Sequence, residues 1–271
     1  MSDSIQNYIK SNTFKNKSVI VTGANGAIGS KVVKKLLECG ANVVGFIHNQ
    51  NINNDYFLQY QKTNQLHYIT TELIYGQKVT EQFKEAMIKL KGKLDILICC
   101  HGKFFPGNVI DTDTQVFKDN IDINVKANFQ LLSLSVPFLK ITKGNAVMIS
   151  SIDTKIVEKG DFLHALNKSM INSLVQNSAL ELASFGVRVN AVAPGFVNSN
   201  YRNNDDLNNN KKFLEMIKDY SLLNKENITP ENIADAILFL ASDEAGFMTG
   251  EIMTIDNGFE LNHDLSFMDY Q

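Results

Sequence analysis

Apolar positions along the chain gather in short, nearly continuous blocks rich in β-branched residues, with amphipathic stretches filling the gaps. The blocks are SVIVTG (18–23), ANVVGFI (41–47), LHYIT (66–70), LDILICC (94–100), NAVMIS (145–150), RVNAVA (188–193) and EIMTID (251–256). Several lack any polar alternate, which is how strands covered on both faces of a parallel sheet read. Helical spacing of apolar residues covers 27–39, about 77–91, about 114–140, 164–185, about 210–219 and 230–242. Strand and helix alternate throughout, without an internal repeat. This predicts a single α/β domain: a doubly wound parallel sheet of about seven strands with helices on both faces.

Within the 271 residues, 1–13 reads as an N-terminal extension, 14–260 as the domain and 261–271 as a tail. One internal stretch departs in composition. NSNYRNNDDLNNN (198–210) is Asn-rich and follows a Pro-Gly pair. With the helical pattern behind it, it predicts a lid-like loop and helix over 198–225. That segment lies beyond the carboxyl end of the sixth strand, where open α/β sheets bind ligands.

TGANGAIG (22–29) joins the first strand to the first helix, with Gly23, Gly26 and Gly29 at three-residue intervals. Glycine permits a tight turn, and the free N–H groups of a helix N-terminus favour an anion. In a strand–turn–helix context this points to a dinucleotide pyrophosphate. Composition narrows the function further. The chain is 44% hydrophobic and 20% charged with a net charge of −3, and no Lys/Arg-dense tract supplies the footprint of a nucleic-acid binder. No block reaches the length of a membrane span, and the first residues lack the apolar core of a secretion signal. Three cysteines in that context fit a reducing compartment, so the expected location is the cytoplasm. Cys99, Cys100 and His101 do not make a metal site, because consecutive strand residues face opposite ways and zinc ligands need wider spacing. Packing is the expected role of those thiols.

From about residue 14 to residue 259 the chain resembles the short-chain dehydrogenase/reductase family. The residues that carry the resemblance are the glycine turn, DINV with Asn124, ISS with Ser151, HALNK with His164 and Lys168, NAVAPGFVNS (190–199) and TPENIADAILFLASDEAGFMTGEIMTIDNGF (229–259). The resemblance implies an NAD(P)-binding oxidoreductase with Asn124, Ser151, His164 and Lys168 in the catalytic positions. It also implies a cofactor site drawn from Thr22, Gly23, Asn25, Gly26, Ile28, Gly29, His48, Glu72, Gly102, Lys168, Pro194, Gly195, Val197 and Ser199. The helices at 114–140 and 164–185 commonly form a four-helix interface in that family, so a homo-oligomer is implied as well. The departures are specific. Ala27 interrupts the compact glycine pattern, and the family's N-N-A-G has become Cys99-Cys100-His101-Gly102. An acid that meets the adenine is read at Glu72. The second strand ends in Ile47-His48-Asn49 without the acid that selects NAD, which tips the expected cofactor toward NADP(H).

The largest departure is His164, where the family has tyrosine. No Tyr elsewhere in the chain has a Lys four residues later, so no shifted register restores the motif. Lys168 lies on the same helical face as residue 164. Its charge favours a phenolate but disfavours a protonated imidazole, so the lysine that would activate a tyrosine disarms a histidine as proton donor. A neutral imidazole is still a serviceable base. Two functions are therefore expected. The first is a cofactor-binding protein with weak or lost activity in a binding, regulatory or structural role. The second is a working oxidoreductase on a small alcohol or carbonyl, with His164 as acid–base.

Overall fold

Each apolar block becomes a strand. A computed structural model of the protein describes residues 13–49, 55–73, 76–156, 159–197, 221–223 and 227–261. The strands are β1 (Ser18–Thr22), β2 (Asn42–Ile47), β3 (Leu66–Thr70), β4 (Ile96–Cys99), β5 (Asn145–Ile149), β6 (Arg188–Pro194) and β7 (Ile252–Ile255). They form one sheet in the order β3-β2-β1-β4-β5-β6-β7, and every pairing is parallel. The helices are α1 (Ala27–Glu38), α2 (Asp55–Lys62), α3 (Gly76–Lys89), α4 (Thr114–Ile121), α5 (Ala127–Thr142), α6 (Phe162–Leu182) and α7 (Pro230–Ala241).

Two cores follow from the two-residue period of the strands. Val19 and Val21 of β1, Ile96 and Ile98 of β4 and Val147 of β5 face one layer, with Val33 and Leu36 of α1 and Ile237 of α7. Ile20, Leu97, Ala146 and Met148 face the other, with Phe83 of α3, Leu131 of α5 and Ile171 and Val175 of α6. The adjacent thiols divide the same way. Cys99 belongs to the second core and Cys100 packs against the first, while Cys39, at the end of α1, is buried in the first. Burial pushes the Cys99 thiol up to about 12 and raises that of Cys100 further. Both are packing groups that resist ionisation.

Within the described residues the expected elements are present, with three adjustments. Helix α2 was not signalled, because eight residues give the apolar period too few turns to register. Phe57 within it is almost fully covered, at 5% exposure. The helical pattern at 114–140 is not one helix: a π-helical turn, Asp122–Lys126, separates α4 from α5. Helix α6 begins at Phe162, two residues ahead of His164. The helix at about 210–219, Ser199 and all but Ser221, Leu222 and Leu223 of the expected lid lie outside the described residues. Among the described residues, no helix is long and apolar enough to cross a membrane.

Candidate active site

Strand register brings the candidate residues to one edge of the sheet. Thr22 pairs with Cys99, Cys99 with Met148, and Ile149 with Val192, so β1, β4, β5 and β6 end nearly level. The segments that leave those ends carry the glycine turn, Gly102, Ser151 and Pro194-Gly195. This is the carboxyl edge at which parallel sheets bind ligands.

Gly23 sits at φ +62° with Cys100 O and His101 N only 2.9 Å from where a Cβ would stand. A Cβ on Gly29 would strike the Gly23 carbonyl. Both positions therefore require glycine, and Gly26 N closes the turn on Gly23 O at 2.9 Å. Gly26 is also the N-cap of α1, and no side chain caps that end. The first N–H groups of a twelve-residue helix, at Ala27, Ile28 and Gly29, are left for an anion. The residues present fit a dinucleotide pyrophosphate.

Around this cradle, Asn25 Nδ2 donates to Asn49 O at 3.2 Å and to Asn49 Oδ1 at 3.0 Å, tying the glycine turn to the end of β2 beside the exposed His48. Glu72 lies two residues beyond β3, with its carboxylate 3.2 Å from Lys78 Nζ. Gly195 N donates to Ile255 O at 2.9 Å, and a Cβ there would meet Asp256 at 2.9 Å, so the Pro194-Gly195 turn is pressed against the end of β7. Val197 bridges to Ile228.

Ser151 follows β5 and caps the short helical turn Ile152–Thr154, its Oγ accepting from Asp153 N at 3.2 Å. That bond leaves the hydroxyl proton of Ser151 available to a ligand. Lys168 is buried in α6 and donates from Nζ to Ile149 O at 2.8 Å. Burial lowers its ammonium to about 8, against the opposing pull of Asp153 and Cys100. Asn124 lies in the π-helical turn, a feature that recurs at functional sites. Its amide is fully engaged: Oδ1 accepts from Lys103 N at 2.9 Å, and Nδ2 donates to Lys103 O at 3.0 Å and to Asn120 Oδ1 at 3.1 Å. Asn120 and Asn167 exchange amide bonds at 3.0 and 2.6 Å, which fastens this turn to α6 one residue before Lys168.

His164 is not left facing Lys168 alone. Its Nε2 lies 3.3 Å from Asp153 Oδ2, with side-chain exposures of 12% for the histidine and 5% for the aspartate. The Phe104 ring packs 6.0 Å from the imidazole, and a bridge between Gly107 and Asp161 holds that loop against the start of α6. Asp153 is a neighbour of His164 that the expectation based on Lys168 did not include. A buried carboxylate in contact with Nε2 stabilises an imidazolium and opposes the lysine.

Two participants were missed on sequence alone, Asp153 and His101. Asp153 stands two residues after Ser151, but only the turn it occupies aims it at His164. His101 Nδ1 lies 2.6 Å from Thr22 Oγ1, and its Nε2 lies 3.3 Å from Asn128 Nδ2. No local pattern signals such bonds, which join β1, the segment after β4 and α5.

A family model described as enoyl-(acyl carrier protein) reductase matches residues 23–260. The chain belongs to the short-chain dehydrogenase/reductase family, a family of NAD(P)-dependent oxidoreductases. Among its relatives, an oxidoreductase of Thermotoga maritima is 30% identical over 252 residues, spanning 90% of this chain and 98% of its own. The 3-oxoacyl-[acyl-carrier-protein] reductase FabG of Staphylococcus epidermidis is 29% identical over 248 residues, again 90% of this chain and 98% of its own. A short-chain dehydrogenase/reductase from Caenorhabditis elegans, solved with cofactor, superposes with a TM-score of 0.83 at 24% identity, covering 94% of this chain and 98% of the other. That likeness bears on the fold.

Proposed function

We propose that the protein binds NAD(P)(H) in the glycine cradle and interconverts a small alcohol and its carbonyl, with His164 moving the proton. The observation that supports this reading is the 3.3 Å contact between His164 Nε2 and Asp153 Oδ2. In this reading Asp153 orients the imidazole through Nε2, and Nδ1 acts as the base. Asp153 then stabilises the imidazolium formed when Nδ1 takes the alcohol proton. The Ser151 hydroxyl donates to the substrate oxygen. Lys168, with one Nζ proton on Ile149 O, offers the others to ribose hydroxyls. When bound, the nicotinamide ring supplies or accepts the hydride. A base of this kind suits alcohol oxidation better than carbonyl reduction. The absence of an acid at the end of β2, beside His48 and Asn49, favours NADP(H) over NAD(H). Pro194, Gly195, Val197, Ser199 and the carboxylate of Glu72 belong to the same cofactor site in this reading.

A second reading, a cofactor-binding subunit of weak or lost activity, draws on the same contact. The nitrogen facing Asp153 is the outer one, and Nδ1 sits closer to the helix backbone, where it reaches a substrate less freely. Both readings are compatible with an oligomer formed through α5 and α6, where Phe129 is 59% and Leu180 80% exposed.

The deciding experiment titrates NADH and NADPH by fluorescence, then assays alcohol oxidation and carbonyl reduction in wild type, His164→Tyr and His164→Ala. Wild-type oxidation that His164→Ala abolishes supports the first reading. Cofactor binding with turnover only in His164→Tyr supports the second. Failure to bind either cofactor refutes both.

A further inference from the structure

The family's N-N-A-G segment is replaced here by Cys-Cys-His-Gly, and the histidine has taken up a bridging position. Thr22 is the last residue of β1 and the one before the glycine turn. Its Oγ1 lies 2.6 Å from His101 Nδ1. On the far side of the ring, His101 Nε2 lies 3.3 Å from Asn128 Nδ2. The same Nδ2 donates to the backbone carbonyl of Asn124 at 2.7 Å. Because that carbonyl can only accept, the Asn128 atom must be the amide nitrogen and not its oxygen. A nitrogen that donates to Nε2 requires Nε2 to accept. These contacts favour a ring proton on Nδ1, given to Thr22.

The ring is also held neutral. Burial of the imidazole, then the nearby charge of Lys168, lowers it to about 4, against the carbonyl of Ile123. A neutral ring adds no positive charge beside Lys168. Glycine 23 is meanwhile pressed flat on the 100–101 peptide, as the 2.9 Å approach of a notional Cβ to His101 N shows. The glycine turn and the π-helical turn are thus joined through one side chain in one tautomer.

We propose that His101 is a positioning residue that sets the glycine turn in register with the Asn124 carbonyl, acting only as the neutral Nδ1–H tautomer. The inference rests on the glycine turn being the cofactor cradle. Its consequence is that Asn128, which lies on the opposite side of His101 from the cradle, controls cofactor affinity. Glutamine at 101 can repeat both bonds, with its amide N–H to Thr22 and its carbonyl toward Asn128. Alanine can repeat neither.

The test has two parts. Side-chain nitrogen NMR on the cofactor-free protein assigns the tautomer of His101: Nδ1–H is expected, and Nε2–H overturns the proposal. NADPH and NADH titrations are then run on His101→Ala, His101→Gln, Asn128→Ala and the His101→Ala/Asn128→Ala double variant, each first checked for folding by thermal unfolding. About tenfold weaker binding is expected for each alanine variant, with no further loss in the double variant and recovery to within about threefold in His101→Gln. Separate packing effects would instead add. Additive losses, no rescue by glutamine, or wild-type affinity in Asn128→Ala overturns this inference alone. A wild type that binds neither dinucleotide overturns the proposed function and this inference with it.

Discussion

Replacing Asp153 by Asn isolates the charge of the Asp153–His164 contact from its shape. At the 3.3 Å separation found here, opposite unit charges attract by about 5 kcal/mol at an effective dielectric of about 20. In the proposed role the imidazole gains its charge as it takes the substrate proton, so the attraction grows along the reaction. Interactions that strengthen in the transition state act on kcat. With the proton about half transferred, the loss is about 2–3 kcal/mol, roughly a hundredfold in kcat. Substrate KM should change little. The assay is alcohol oxidation at saturating cofactor, read by nicotinamide absorbance. The control is the same substitution in a His164→Tyr background. A phenolate is the anionic base, so a carboxylate beside it is a hindrance. There Asp153→Asn should leave kcat unchanged or raise it a few-fold. A loss below about threefold in the histidine background, or an equal loss in both, would refute the assigned role.

Two further outcomes follow from the cradle and its neighbour. Gly29→Ala places a methyl group against the Gly23 carbonyl, and overpacking against backbone costs about 1–3 kcal/mol. Thermal unfolding should fall accordingly, and cofactor titration should show at least tenfold weaker binding. The pH dependence of stability should carry the signature of His101. Its folded value of about 4 lies below the ordinary value, so the unfolded chain binds the proton more readily. Stability is then complete above about pH 6.5 and falls by up to about 3 kcal/mol as pH drops toward 4. Urea unfolding of wild type and His101→Gln at neutral and acid pH should show a flatter profile in the variant.

The strands and the glycine turn were legible in the sequence because their causes are local. A strand covered on both faces must be apolar throughout, and a turn pressed on a neighbouring backbone must be glycine. Helix α2 escaped because a short helix offers too little period. The π-helical turn escaped for a different reason. Asn120, Asn124 and Asn128 recur every four residues and read as one uninterrupted helix, and one inserted residue leaves the apolar spacing almost intact. At the site, Ser151, His164 and Lys168 came from the family resemblance, and they sit after a strand end and on one helix. Asp153 did not, because its relation to His164 is made by the turn that Ser151 caps. His101 was noticed only as a departure from N-N-A-G and a rejected metal ligand, because its two partners come from elements far away in sequence. The field at His164 includes such a tertiary contact, which the spacing to Lys168 does not reveal.

The distribution of the three cysteines gives the protein a set of chemical reporters. Cys39 is buried in the layer built on α1 and α7, Cys99 in the layer built on α3, α5 and α6, and Cys100 is partly accessible. A thiol reagent can modify Cys39 or Cys99 only after the corresponding layer opens. Labelling rates under native conditions, resolved by mass spectrometry, would therefore time the opening of the two halves separately. If filling the cradle steadies one half more than the other, the two clocks will diverge when a dinucleotide is added.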